Sequence, residues 1–134
     1  MNLDPQTFVV HDIGEFPFVV FNQAAAWPGY AGRWEKEMIA LVENGLPFVV
    51  VYDRVRSDES HEDRRHRGIW LKHNKQALGR LCKALISIEP DAERRAEIEA
   101  AGAIAVKAFG IPHEAVATRQ AAFDLARRLV DGAA

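Results

Sequence analysis

Residues 46–53, LPFVVVYD, decide the fold. Phe48, Val50 and Tyr52 share one alternating face of this stretch, Val49 and Val51 the other, and both faces are apolar. A strand hydrophobic on both sides is covered on both sides, so it belongs inside a sheet that has layers above and below it. Upstream, Asn44-Gly45 stops a helical pattern in which Tyr30, Trp34, Met38, Leu41 and Val42 recur at helical spacing. Downstream, a charged run leads into a second helical pattern. A helix, a glycine stop, a buried strand and another helix are the parts of a crossover unit, which joins parallel strands.

Working outward, TFVVHDIG (7–14) and FPFVVFNQ (16–23) are β-branched and aromatic runs separated by Gly14-Glu15 and Pro17, the pattern of an antiparallel strand pair. The second helix is expected from about Ser60 to Leu81, with Ser60 and Asp63 spaced as a variant capping box. KALISIE (83–89) reads as a strand. Pro90-Asp91 then opens a third helix through about Phe109, whose stripe of Ile98, Ala101, Ala105 and Ala108 suits close packing. Gly110 and Pro112 end it. HEAVAT (113–118) reads as a short strand, and Thr118 caps a last helix that buries Ala122, Leu125, Ala126 and Leu129. The order β-β-α-β-α-β-α-β-α predicts an α/β fold: a single mixed, mostly parallel sheet of four or five strands with four helices.

A chain of 134 residues, 49% hydrophobic and 27% charged, is enough for one core and short for two, so a single domain is expected. A formal net charge of -2 provides no global field for phosphate or anionic lipid. The single cysteine, Cys82, excludes an intrachain disulfide and a cysteine-only metal cage, and suits a reducing compartment. The first residues lack the basic-then-apolar pattern of a signal peptide, and no apolar run approaches the ~20 residues of a membrane span. The expectation is a cytoplasmic protein without a membrane segment.

The stretch YDRVRSDESHEDRRHRGIW (52–70) concentrates titratable groups. On a helix His61 and His66 point about 140° apart, and His66 and His73 are separated by roughly 10.5 Å of rise, so neither pair shares a metal shell. Glu62 and His66, four apart, read as a surface ion pair. Arg54, Arg56, Arg64, Arg65 and Arg67 are interleaved with Asp58, Glu59, Glu62 and Asp63, which describes a solvated face, not the uncompensated cations that nucleic acid needs. No metal site and no nucleic-acid partner are expected. Further along, Trp70, Asn74, Leu78 and Cys82 form one i+4 ridge of the second helix. Asn74 therefore points into the apolar face, where a buried amide either ties down backbone or lines a pocket. Cys82 reads as a buried structural thiol. No glycine-rich phosphate loop, nucleophile elbow or paired-carboxylate motif occurs, so no cofactor is expected.

LVENGLPFVVVYD (41–53) and WLKHNKQALGRLCKALISIEP (70–90) carry a resemblance. The chain resembles the STAS family, the fold of bacterial anti-sigma-factor antagonists, and within it the small stand-alone SpoIIAA-like branch, from about Phe8 to Leu129. The matched positions are mainly core positions. In regulatory STAS proteins a serine directly after this central strand is phosphorylated to release a partner. Here Asp53-Arg54-Val55-Arg56-Ser57 departs from the family's Asp-Ser-Ser/Thr-Gly pattern, and Ser60 reads as a helix N-cap. The resemblance thus implies a non-catalytic binding or regulatory module.

In open α/β sheets ligands meet the loops beyond the carboxyl ends of the strands. Residues 22–30 and 53–60 are expected to meet there, giving a working face of Trp27, Tyr30, Asp53, Arg54, Arg56 and Ser57, with Asn74 as a pocket candidate. Its partner would be a protein or a small anionic or lipid-like ligand. Two other readings are a small-molecule enzyme using Asp53 and His66 as acid and base, and a structural subunit of an oligomer.

Overall fold

The computed structural model describes residues 3–53 and 59–132. Five strands, β1 (His11–Glu15), β2 (Phe18–Phe21), β3 (Phe48–Asp53), β4 (Cys82–Ile88) and β5 (His113–Val116), form one sheet in the order β1-β2-β3-β4-β5. β1 is antiparallel to β2, and every other pairing is parallel. The helices are α1 (Ala31–Asn44), α2 (His61–His73), α3 (Lys75–Leu81), α4 (Ala92–Phe109) and α5 (Arg119–Val130).

β3 is central, and its two faces feed two cores. Phe48 and Val50 pack with Val10, Ile13, Val19, Phe21, Trp34, Met38, Leu41, Trp70 and Leu78, beneath α1, α2 and α3. Val49 and Val51 pack with Phe18, Ala84, Ile86, Ile88, Ala122 and Ala126, beneath α5. Each such aliphatic side chain taken out of water stabilises the fold by roughly 1.5–3 kcal/mol, which is why the double-faced alternation fixes the strand's place. α4 lies over the sheet's end, with Gly102 against His113. His113 pairs with Leu85, which packs on the first core.

The second helix departs from the single span expected. It divides at Asn74, whose backbone (φ -113°, ψ 20°) leaves the helical region, so the described residues hold five α-helices where four were expected. The cause is the asparagine itself. Its Nδ2 donates to the Trp70 carbonyl at 2.9 Å, the oxygen that its own backbone N–H also uses, so the side chain competes with the helix ladder. Asn74 is half-buried and bound to backbone, as its inward position required, and Trp70 and Leu78 on either side of the break remain buried. Cys82 follows α3 without a loop and opens β4.

α4 corrects a second expectation. Ile98 and Ala105 are half-buried, but Ala101 and Ala108 are exposed, and the buried residue of this helix is Gly102. Added there, a Cβ would lie 2.7 Å from that of His113, so the helix approaches β5 through the missing side chain. Among the described residues no helix is long and apolar enough to cross a membrane.

Candidate functional site

β2 and β3 run parallel and end side by side at Phe21 and Asp53, so the chain leaves both at the same edge of the sheet. Asn22 caps a 3-10 turn by accepting from the Ala24 N–H and donates to the Val9 carbonyl at 3.1 Å. Gln23 Nε2 donates to the Asp53 carbonyl at 2.7 Å. The segment after β2 is thereby joined to the end of β3, beside an open cleft of about 540 Å3 lined by Pro5, Phe8, Asp12, Val20, Asn22, Gln23 and Asp53.

A second set of bonds fixes this segment from the helix side. Ser60 caps α2: its hydroxyl accepts from the Asp63 N–H at 3.1 Å and donates to Asp63 Oδ2 at 2.6 Å. Asp63 then serves another helix. Its carboxylate accepts from Gly29 N–H at 2.8 Å and Ala31 N–H at 3.1 Å, at the start of α1, where Tyr30 supplies no side-chain cap. One buried carboxylate thus meets the unsatisfied donors of a helix entry from across the fold. Burial pushes the Asp63 carboxyl up, but Ser60 and the two N–H groups outweigh it and hold its pKa below the ordinary value.

Glu59 makes the adjoining contact. It receives a bidentate pair from Arg67, Nε at 2.6 Å and Nη2 at 2.8 Å, and the Tyr30 hydroxyl donates to it. The Arg67 guanidinium lies 5.6 Å from the centre of the Trp34 ring, which meets Trp70 edge-on. Burial, then the Glu59 contact, raises the Tyr30 pKa well above its ordinary value, so this phenol stays a donor. Arg67 is therefore a half-buried tie between α2 and α1, whereas Arg64, 59% exposed, fits the solvated face expected of the whole run.

The expected working face is only partly assembled. Trp27 is 71% exposed on the braced loop, and Asp53 lines the cleft with Arg119 Nη1 4.0 Å from its carboxylate. Tyr30 is corrected: at 8% exposure it belongs to the core and the Glu59 network, because it begins the buried stripe of α1. Arg54, Arg56 and Ser57 lie outside the described residues. Asn74 spends its amide on the Trp70 carbonyl, the backbone-tying role of the two expected for it. α2 carries the chain from the cleft edge toward the opposite end of the sheet, about 20 Å away.

His66 pairs through Nε2 with Glu35 of α1 at 2.9 Å, not with Glu62 as the spacing suggested. It lines a groove between α1 and α2 with Ile69, Trp70 and His73, while Asp53 lines the other cleft, so this acid and this imidazole share neither. No group of three His, Cys, Asp or Glu side chains able to hold a metal occurs among the described residues. Cys82 is buried, and burial pushes its thiol up to about 12.

One polar cluster was not anticipated. Glu37, 3% exposed, accepts from the backbone N–H groups of Val9 at 2.8 Å, Val10 at 3.0 Å and His11 at 2.8 Å, and from His11 Nδ1 at 2.9 Å. Arg33 Nε adds a contact at 3.3 Å. An ionised carboxylate only accepts, so the imidazole proton sits on Nδ1. Burial pushes Glu37 up, and the His11 and backbone donors overcome it, bringing the pKa down to about 2. The cluster fastens the approach to β1 onto α1. A signal was present: Glu37 falls in the same helical arc as Trp34, Met38 and Leu41, where an acid needs buried donors.

Comparison with protein-family models, curated proteins and solved structures finds no match.

Proposed function

We propose that this chain is a non-catalytic binding module of the STAS-like kind, which recognises a protein partner across the loop surface carrying Trp27. The observation that carries the reading is the exposure of a tryptophan on a loop tied down at both ends. Asn22 and Gln23 hold one end of the segment, Asp63 the other, and the indole between them is 71% exposed. A large aromatic presented on a fixed backbone is the usual energetic centre of a protein interface, since little conformational freedom is lost when it is covered. The order of strands and helices agrees with the STAS-like resemblance in its antiparallel opening pair and its crossover helices.

A small ligand in the neighbouring cleft is the second reading. Asp12 and Asp53 line it, and Arg119 Nη1 lies 4.0 Å from the Asp53 carboxylate, so both signs of charge stand at the cleft. The enzyme reading has less support, because Asp53 and His66 line separate clefts.

The test compares affinity-tagged wild type with Trp27→Ala in the native cell, quantifying copurifying proteins by mass spectrometry. The expected result is a partner recovered with wild type and depleted at least about tenfold by the substitution, as an interface centre requires. The melting temperature should stay within about 2 °C, because an exposed side chain carries little folding energy. An identical set of proteins at identical yield would refute the assignment.

A further inference from the structure

α4 is apolar at eleven of its 18 positions, yet Gly102 is its one buried residue and Ile104 stands 74% exposed. The arc turned away from the sheet has an ordered composition. At 100° per residue Glu93, Ala96, Glu97, Ala100, Ile104 and Lys107 fall within an arc about 100° wide, and all are exposed. The other charges near its start are engaged elsewhere: Arg94 lies 3.6 Å from Glu89, and Arg95 donates to the carbonyls of Glu89 and Pro90. Glu93, Glu97 and Lys107 form no ion pair among the described residues.

This arc is complementary to itself when reversed. Rotation by a two-fold axis passing Ala100 sets Glu93 opposite the partner's Lys107, with Glu97 one turn away. The same rotation sets Ala96 opposite the partner's Ile104, a small residue facing a large one, and Ala100 opposite its own copy. A parallel pairing would put acid against acid and lysine against lysine, at a cost comparable to what the antiparallel pairing gains. We propose that α4 is the docking face for a second copy of this chain, two-fold related, with the two α4 helices antiparallel.

The occupant is a copy of the chain because the pattern matches its own reverse in size and charge together, which an isologous interface requires of one surface. From Glu93 to Lys107 the patch is about 21 Å long and 10 Å wide, smaller than a standard stable interface, so the dimer is a weak one that forms and dissociates rapidly. It lies on α4, at the β5 end of the sheet, and leaves Trp27 uncovered for another partner.

Sedimentation velocity of the full chain from about 5 µM to about 500 µM tests the proposal, over the range where a weak interface registers as a concentration-dependent shift. Wild type is expected to move from monomer toward dimer. Ile104→Glu and Lys107→Glu should each weaken association at least about tenfold. The triple change Glu93→Lys, Glu97→Lys, Lys107→Glu, which reverses every charge on the arc, should restore it to within about threefold of wild type. All four positions are exposed, so the monomer's melting temperature should hold; Ile104→Ser replaces Ile104→Glu if it does not. A wild type that stays monomeric throughout, an association indifferent to the single changes, or a triple variant that fails to recover would overturn the proposal.

Discussion

Replacing Glu37 by glutamine keeps the shape of the side chain and removes its charge, so the substitution isolates the electrostatic role of the buried cluster. The carboxylate receives four hydrogen bonds from residues 9–11 and their imidazole, and an amide can accept through one oxygen only while turning its NH2 toward donors. A carboxyl held at about 2 in place of its ordinary 4.5 contributes roughly 3 kcal/mol of stability near neutral pH. Because the folded value is the depressed one, that contribution is fully present above about pH 4.5 and fades as pH falls toward about 2. Asp63 and Glu59 are also held low and contribute in the same direction, so wild type alone cannot assign the effect. The difference between wild type and Glu37→Gln can. Urea denaturation should give a gap of about 3 kcal/mol at pH 7 that narrows to about 1.5 kcal/mol at pH 3. A gap unchanged between those pH values, or one below about 0.5 kcal/mol at pH 7, would refute the role given to the carboxylate.

Asp63→Ala removes the acceptor for Gly29, Ala31 and Ser60 together, and should cost about 2–4 kcal/mol, with a melting temperature lower by roughly 6–14 °C in calorimetry. Its more diagnostic effect is local: amide exchange at 24–31 should accelerate more than at β3, because the helix entry loses its cap. Gly102→Ala places a methyl 2.7 Å from His113 Cβ, so denaturation should show a loss of about 1–3 kcal/mol although alanine is the better helix former.

Much of this was legible because some residues permit only one physical role. The two apolar faces of residues 48–52 could only mean burial on both sides, and Ser60, Asp91 and Thr118 each cap the helix they precede through a side-chain oxygen. Tyr30 supported two readings, loop aromatic and first member of a helical stripe, and the packing of α1 made the stripe decide. The division at Asn74 escaped a wheel that assumes an unbroken helix; what broke it was a side chain reaching the Trp70 carbonyl. α4 misled for a different reason: with alanine on most sides, no direction on its wheel dominates, and a glycine became the contact. Ion-pair choice was the least legible. His66 turned to Glu35 across the helix pair, Arg67 to Glu59, and Asp63 to backbone thirty-four residues away, all contacts that the fold creates and local spacing does not encode.

A photoreactive amino acid placed at position 27, with a second chain carrying it at position 69, tests the binding reading most directly. Both Trp27 and Ile69 are exposed large apolar residues, but only Trp27 lies on the braced loop surface; Ile69 lies in the α1–α2 groove. Irradiation in the native cell should give a discrete covalent adduct with a protein partner from position 27 and none from position 69. An adduct from position 69 with nothing at position 27 would contradict the account and move the working face to the other helix pair.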